Sequence, residues 1–294
     1  METYTLNNGM KIPVIGFGCY NAKGGDNYAM FSEAVKNGYR LFDTASFYET
    51  ERELGRALRD SGVKREEFFI QTKLWTDEMG YDNVMAAVER SLKRIGTDYI
   101  DIYMIHWPRV SVDSTPNEWK SMQKETYLAM EKLAEDGTIR AIGLSNFLPH
   151  HLENIFSFCN IAPVADQLEL HLGYMQERAI NYAGEHDLQL QAWSPLGRGN
   201  VLNDKRFTTM AEKYGVTVSQ LALNFLYRYG IIPLPKSAGA ERQRQNLDIF
   251  GFTISEEDFS FLACLPNTLW SGEHPDFAIP ALKSNHANRI ILLK

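Results

Sequence analysis

Four side chains whose types suit proton transfer stand at the ends of apolar segments: Asp43, Tyr48, Lys73 and His106. A phenol has a pKa of about 10, and a neighbouring ammonium group favours the phenolate and lowers that value. Lys73 can supply this ammonium group, and Asp43 can supply its counter-charge. His106 can donate a hydrogen bond to a substrate oxygen. Together the four residue types predict a proton donor aimed at a developing alkoxide.

These residues meet only if the segments that carry them lie side by side. The sequence contains eight short apolar segments rich in Ile, Val, Leu and Phe, a composition typical of strands covered on both faces. The predicted strands are residues 14–18, 40–43, 68–73, 100–106, 139–145, 164–169, 188–193 and 231–236.

Amphipathic segments separate the strands and predict helices. They include residues 29–39, 49–62, 83–96 and 126–137, each of which closes on or beside a glycine that favours helix termination. The unbroken alternation predicts an α/β fold, a (β/α)8 TIM barrel, formed by a single domain over residues 1–294. A doubly wound sheet is disfavoured because no G-x-G-x-x-G turn follows the first strand.

The first segment of the chain, residues 3–13, predicts an N-terminal β-hairpin whose turn takes positive φ angles at Asn8 and Gly9. In a barrel of this kind the chemistry lies at the carboxyl ends of the strands. Nearly every predicted strand ends there in a polar or aromatic residue: Asp43, Lys73, His106, Ser145-Asn146, Gln167 and Glu169, Trp193 and Lys236. We interpret Glu169, Cys19 and His171 as structural.

The composition excludes several classes of protein. Lys and Arg number 30 against 37 Asp and Glu, and no basic run occurs, so we expect no nucleic-acid partner. The three cysteines are widely spaced and no signal-peptide core is evident, which favours a reducing compartment, the cytoplasm. No apolar run approaches the roughly 20 residues of a membrane helix. No His or Cys pair shows the close spacing of a structural zinc site, and we expect no metal.

The motifs around these residues resemble those of the aldo-keto reductase family along essentially the whole chain. The four polar residues, hereafter the tetrad, stand in "LFDTASFY", "IQTKLW" and "MIHWP", and the resemblance continues through "IGLSNF", "ADQLELH", "AWSPLGRG" and "PLPKSAGAERQRQN" in the family's order. Trp193 and the short loop after it are similar to the microbial diketogluconate reductase-like branch. The resemblance implies an NADP-dependent oxidoreductase that transfers a hydride from NADPH to an aldehyde or ketone, with Tyr48 as general acid.

The same resemblance implies a role for each of the remaining site residues. Trp193 is expected to stack on the nicotinamide ring, and Ser145, Asn146 and Gln167 to bind its carboxamide. Ser194, Pro195 and Leu196 are expected to line the pyrophosphate. Lys236, Ser237 and Arg242 are expected to hold the 2′-phosphate of NADP, with Asn246 also at the cofactor. A Lys, Ser and Arg within seven residues also suit a phosphate on chemical grounds, since arginine provides a bidentate fork.

Three positions differ from the family pattern. Thr50 and Gln245 stand where many members have Asn and Glu, which weakens the expected contacts to adenosine. Tyr20 stands where many members have a Trp that faces the substrate. With Phe47, Trp75 and Trp107, Tyr20 predicts an aromatic substrate pocket. This pocket does not select among sugars, α-dicarbonyls, quinones and lipid carbonyls, and it leaves the reaction direction open.

Two other functions remain as alternatives. Some relatives are cofactor-sensing regulatory subunits of ion channels, which often carry a long N-terminal extension, whereas the hairpin here begins at about residue 3. A metal-dependent barrel hydrolase would use His106, His171 and Glu169, and it requires a clustered ligand set. We expect a monomer that acts on a small-molecule carbonyl substrate.

Overall fold

A computed structural model describes residues 2–21, 24–277 and 279. The chain begins with the predicted hairpin, in which β1 (Thr3–Thr5) pairs antiparallel with β2 (Lys11–Pro13). Gly9 has a φ of 84°, whereas Asn8 does not take a positive φ, so the expectation for Asn8 was wrong. One left-handed residue is sufficient because the Leu6 amide already closes the turn on the Met10 carbonyl.

The predicted barrel is confirmed. Its eight strands are parallel and pair in chain order: β3 Phe17–Gly18, β4 Leu41–Asp43, β5 Phe69–Leu74, β6 Ile102–Ile105, β7 Ile142–Ser145, β8 Ala165–Glu169, β9 Gln189–Trp193 and β10 Ile232–Pro233. The amides of Gly16 and Gly18 donate to the carbonyls of Pro233 and Pro235 at 3.1 Å each, which joins the first strand to the eighth.

The glycines at this junction are required because neighbouring atoms leave no room for a Cβ. A Cβ on Gly18 would lie 2.7 Å from the Leu234 carbonyl oxygen, and one on Gly16 would lie 2.6 Å from Leu41. A larger residue at position 18 would push β3 and β10 apart, and one at position 16 would displace the side chains of Leu41 and Leu234. The close contact therefore keeps the ends of the first and last strands on one continuous rim.

Ten helices lie among the described residues: α1 Asn27–Lys36, α2 Glu51–Asp60, α3 Tyr81–Ile95, α4 Pro116–Glu135, α5 Pro149–Phe156, α6 Glu177–Glu185, α7 Lys205–Tyr214, α8 Val218–Arg228, α9 Ala240–Leu247 and α10 Glu256–Ala263. The predicted segment at 126–137 covers only the second half of α4. The true start is marked by Pro116 in the first turn and by a capping box between Thr115 and Glu118. None of these helices combines the length and apolar character needed to cross a bilayer.

Residues 267–277, here called the C-terminal strap, run back across the mouth of the barrel. The Met175 amide donates to Asn267, and the Thr268 amide donates to the Gly173 carbonyl, so the strap starts on the loop after β8. The extent of the predicted single domain, residues 1–294, reaches beyond the described residues and stays a prediction.

Candidate active site

The carboxylate and the ammonium group of the tetrad form a buried ion pair. Asp43 is the last residue of β4 and Lys73 lies near the end of the neighbouring strand β5. The Lys73 Nζ donates to Asp43 Oδ1 at 2.6 Å and to the Thr44 carbonyl at 3.1 Å. Burial lowers the pKa of Lys73, although the charge and hydrogen bond of Asp43 oppose the shift.

Tyr48 and His106 face each other above this ion pair. Tyr48 ends a short 3-10 helix, Ser46–Tyr48, and its hydroxyl lies 3.5 Å from His106 Nε2. The Lys73 Nζ lies 5.1 Å from the centroid of the Tyr48 ring. The structure thus brings the four predicted residues together from β4, β5, the end of β6 and the turn after β4.

The net shift at Tyr48 differs from our expectation. We expected Lys73 to lower the pKa of the phenol, but burial, followed by the charge of Asp43, raises it well above its usual value. Burial and the nearby Lys73 lower the pKa of His106 well below its usual value. At neutral pH the site therefore holds a protonated phenol beside a neutral imidazole, which is the donor form of the tyrosine.

The aromatic residues expected at the substrate pocket lie around the tetrad. The Tyr20 ring is 4.9 Å from the Tyr48 ring, and Phe47 stacks on Trp75 with centroids 3.9 Å apart. The Trp75 ring meets His106 edge-on at 4.9 Å. Trp107 is buried and Tyr20 is half exposed. Their contact with substrate stays a prediction.

The residues expected at the nicotinamide form one hydrogen-bonded row. Trp193 Nε1 donates to Asn146 Oδ1 at 2.8 Å, and Asn146 Nδ2 donates to the His106 carbonyl at 2.9 Å. Ser145 Oγ donates to the Gln167 carbonyl at 3.0 Å. Asn146 has a φ of 64°, a conformation that Asn tolerates better than most residues. The row borders the tetrad directly, through the His106 carbonyl.

The residues expected at the phosphates follow the ends of β9 and β10, next to Trp193. Ser194 begins the loop after β9 with a φ of 47°, followed by Pro195 and Leu196. Beyond β10, Arg242 Nε donates to Ser237 Oγ at 3.3 Å in the first turn of α9, and Lys236 Nζ donates to Asn21 at 2.8 Å. Asn246 lies buried on the same helix.

Sequence reasoning missed what the C-terminal strap does. Glu169, which we interpreted as structural, accepts hydrogen bonds from the amide and hydroxyl of Ser271 at 3.1 and 2.7 Å. Glu273 pairs with Arg198 at 2.6 Å. Glu273 also lines a small cavity together with Asn146 and Trp193. No local signal in the sequence could reveal these contacts, since the partners are about 75 to 100 positions apart.

A second polar cluster, here called the strap anchor, consists of Arg109, His150, His151 and Asp276. Both histidine Nε2 atoms lie 3.2 Å from Asp276 Oδ1, and Arg109 Nη1 lies 3.3 Å from it. Burial alone would raise the pKa of Asp276, but hydrogen bonds from the histidines hold it well below its usual range. Burial lowers the pKa of His151 to about 4.

The strap anchor has metal-ligand residue types, but its hydrogen bonds favour another role. His150, His151 and Asp276 are a group whose ligand atoms lie within 4.8 Å of one another. The Leu148 amide donates to His151 Nδ1 at 3.2 Å, so the proton of the neutral ring sits on Nε2, which lies 3.2 Å from Asp276 Oδ1. A ring that donates through Nε2 cannot ligate a metal with that atom. Among the described residues, His106 belongs to no such group with Glu169 and His171, so the hydrolase alternative lacks its ligand set.

Comparisons with known proteins agree with this geometry. A model of the Aldo/keto reductase family matches residues 14–264. The chain is 39% identical over 276 residues to the glyoxal reductase of Bacillus subtilis, covering 94% of this chain and 96% of that protein. It is 35% identical over 278 residues to 2,5-diketo-D-gluconic acid reductase B of Corynebacterium sp., covering 94% and 97%.

Solved structures show the same architecture. An aldo/keto reductase from Brucella melitensis superimposes with a TM-score of 0.82 at 38% identity, covering 89% of this chain and 98% of that one. An aldo-keto reductase of Bombyx mori in complex with NADP gives 0.81 at 30% identity, covering 90% and 93%. The chain belongs to the aldo/keto reductase family and is an oxidoreductase, as its motifs predicted.

Proposed function

We propose that this protein transfers a hydride from NADPH to the carbonyl carbon of an aldehyde or ketone, with Tyr48 as the general acid. The observation that carries the proposal is the hydroxyl of Tyr48, held in its protonated form 3.5 Å from a neutral His106 above the Lys73–Asp43 pair. Membership of the aldo/keto reductase family supports the reaction type. The relatives reported above are reductases, so a regulatory subunit without turnover is not favoured.

The residues of the mouth fit a nicotinamide dinucleotide phosphate. The protein has a net charge of −7, yet Lys236, Ser237 and Arg242 concentrate cationic and hydroxyl donors at the start of α9. Such a donor set suits a phosphate monoester. We assign the 2′-phosphate to these three residues and part of the adenosine to Asn246.

The reactive end of the cofactor is assigned to the row beside the tetrad. Trp193 would stack on the nicotinamide, and the amide and hydroxyl groups of Ser145, Asn146 and Gln167 would hold its carboxamide. Ser194, Pro195 and Leu196 would line the pyrophosphate. When bound, the cofactor supplies the hydride.

The side chains of the tetrad supply the proton. The carbonyl oxygen lies between Tyr48 and His106, and His106 Nε2 donates a hydrogen bond that orients it. As the oxygen gains negative charge it becomes a much stronger base than a phenolate, and the Tyr48 proton moves onto it. Lys73, held by Asp43, stabilises the phenolate that remains. The products are the alcohol and the oxidised cofactor, and solvent returns the proton to Tyr48.

Replacing Tyr48 by Phe tests this assignment. We expect turnover with carbonyl substrates to fall roughly 10²- to 10⁴-fold, since the ring is kept and only the proton donor is lost. NADPH affinity, measured by tryptophan fluorescence quenching, is expected to stay within about twofold. Tyr28→Phe is the matched control, because the Tyr28 hydroxyl only donates to Asp60 at the surface. Wild-type turnover in Tyr48→Phe would refute the mechanism.

The same fluorescence titrations also test which residues bind the 2′-phosphate of the cofactor. Arg242→Ala is expected to weaken NADPH binding roughly tenfold or more, because a charged hydrogen bond to phosphate contributes about 1.5–3 kcal/mol, and to leave NADH binding unchanged. Arg244→Ala is the control on the same helix, since Arg244 pairs with the exposed Glu241. Equal affinity of wild-type protein for NADPH and NADH would contradict the assignment.

Three further expectations belong to this proposal. We propose a monomer, a small-molecule carbonyl as the substrate and a reducing compartment, the cytoplasm. The last rests on Cys19, Cys159 and Cys264, which are all free.

A further inference from the structure

Three glutamine side chains form a closed cluster inside the barrel, directly beneath the tetrad. Gln71, Gln167 and Gln191 come from β5, β8 and β9 and are at most 1% exposed. The parallel register sets Gln71 beside Asp43 and Gln191 beside Gln167. We call the three residues the amide cluster.

The charge of Asp43 sets the direction of every hydrogen bond in the amide cluster. A carboxylate oxygen only accepts, so the Nε2 atoms of Gln71 and Gln167 both face Asp43 Oδ1, at 2.7 and 2.9 Å. The second hydrogen of each Nε2 points to Gln191 Oε1, at 2.6 and 3.0 Å. Gln191 Nε2 returns a hydrogen bond to Gln71 Oε1 at 3.0 Å.

The hydrogen bonds of the amide cluster constrain both Asp43 and Gln167. Asp43 Oδ1 accepts from two amides and from Lys73, so the carboxylate is held in one orientation under the ammonium group. Both hydrogens of Gln167 Nε2 are used within the cluster, so its Oε1 is the atom left to meet a ligand. A flip of Gln167 would bring its oxygen against the oxygens of Asp43 and Gln191.

We propose that Gln191 is a positioning residue of the reaction. It bonds the two amides that hold Asp43, and thereby fixes the carboxylate under Lys73 and directs Gln167 Oε1 toward the nicotinamide carboxamide. One residue on β9 thus connects the proton-donating half of the site to the cofactor-binding half. The inference rests on the proposed function, because it gives Asp43 and Gln167 the roles stated there.

Gln191→Leu removes the shared acceptor and leaves two buried N–H groups unpaired. We expect kcat to fall roughly tenfold and the NADPH dissociation constant to rise roughly five- to tenfold, the range for losing a buried hydrogen bond. The KM for the carbonyl substrate is expected to stay within about twofold. Gln189→Leu is the matched control on the same strand, since Gln189 donates to the carbonyls of Leu190 and Gly230 outside the cluster. It is expected to leave kcat and cofactor affinity unchanged.

Gln191→Glu distinguishes positioning from a structural role. Buried beside Asp43, the new carboxyl keeps its proton, donates its O–H to Gln71 and accepts from both amides, so activity is restored. As pH rises, the group ionises, loses its donor and repels Asp43. We therefore expect kcat of this variant to fall at high pH along a limb that wild-type protein lacks. The variant also carries the test if Gln191→Leu does not fold.

Two results would overturn the inference. One is wild-type kcat and NADPH affinity in Gln191→Leu, and the other is equal activity loss at every pH in Gln191→Leu and Gln191→Glu. Tyr48→Phe, assayed alongside, separates this failure from that of the proposed function. If Tyr48→Phe is inactive while Gln191→Leu behaves as wild type, the positioning role alone is wrong. If Tyr48→Phe stays active, the proposed function itself fails.

Discussion

The tetrad and the strap anchor contain nearly the same residue types at the same mouth, yet they are built for different tasks. Each contains a carboxylate, a cation and histidine: Asp43, Lys73 and His106 in the tetrad, and Asp276, Arg109 and two histidines in the strap anchor. In the tetrad, the phenol of Tyr48 stands beside a neutral imidazole. In the strap anchor, Arg109 and both histidines each place one nitrogen within 3.2 or 3.3 Å of the same carboxylate oxygen, Asp276 Oδ1.

The two clusters also differ in burial and in the elements that carry them. Lys73 and Asp43 are almost fully buried on strand ends, where desolvation makes an ion pair costly and weak as a source of stability. Arg109 and Asp276 keep 12% and 17% of their side chains exposed, on a loop and on the C-terminal strap. The atoms that a cluster faces, rather than its composition, decide its chemistry.

The largest expected effect is the loss of turnover in Lys73→Met. Methionine keeps the length of the side chain but removes the charge that stabilises the Tyr48 phenolate. We expect kcat to fall by roughly 10²- to 10⁴-fold, the range for general acid catalysis. Steady-state turnover with a carbonyl substrate measures it.

A double variant separates this chemical loss from instability. Lys73→Met leaves Asp43 buried without its ion-pair partner, which costs about 3–5 kcal/mol. Adding Asp43→Asn removes the second charge, so thermal stability is expected to recover in part while kcat stays low. If kcat recovered with stability, the tetrad would have a structural role like that of the strap anchor and no role in catalysis.

The second-largest expected effect is a loss of stability and of substrate binding in Asp276→Ala. The variant removes the carboxylate that faces both histidines and Arg109, although Arg109 keeps its hydrogen bonds to the Val112 and Ser114 carbonyls. We expect a loss of about 2–3 kcal/mol in the free energy of unfolding. The strap then covers the cavity beside Asn146 and Trp193 less well, so KM should rise severalfold while kcat changes less than about twofold. Thermal denaturation and steady-state kinetics measure both.

The control for Asp276→Ala is Glu135→Ala. Glu135 forms an exposed ion pair with Lys132, and such pairs contribute at most about 1 kcal/mol. A large drop in kcat for Asp276→Ala would mean that the strap anchor takes part in catalysis, and it would contradict a structural role for this cluster.

The smallest effect is a pH dependence of stability that originates in the strap anchor. The pKa of His151 is about 4 when folded, against about 6.5 when unfolded, so the unfolded chain binds a proton first as pH falls. Its contribution is complete above pH 6.5 and is lost toward pH 4, by about 2 kcal/mol between pH 7 and pH 5. His106 and His274, whose pKa values are also lowered by burial, add to the slope.

His151→Asn isolates the contribution of His151 to this pH dependence of stability. The Asn oxygen can still accept from the Leu148 amide, but the group no longer titrates. We expect a shallower fall of the melting temperature between pH 7 and pH 5 than in wild-type protein. Parallel curves for the two proteins would mean that His151 is not buried in its neutral form.

Much of the tetrad could be predicted because each member lies at the end of a strand with a clear local pattern. Asp43 closes "LFD" and Lys73 closes "IQTK", and parallel strands bring such ends to one edge. The start of α4 was missed because Pro116 and the capping residues Thr115 and Glu118 lie well before Thr126, where the predicted helix begins. The strap anchor could not be predicted, because Asp276 meets His150 across 126 positions.

The amino-acid sequence by itself determined the barrel, the tetrad and the basic group at the start of α9, since local periodicity, glycine caps and strand-end chemistry suffice for these. Only the tertiary structure decided which atoms face one another. It reversed the expected shift at Tyr48, because burial outweighs the charge of Lys73. It also set the direction of the hydrogen bonds in the amide cluster and the path of the C-terminal strap. Such outcomes depend on desolvation and long-range contacts, which arise only when distant segments pack together.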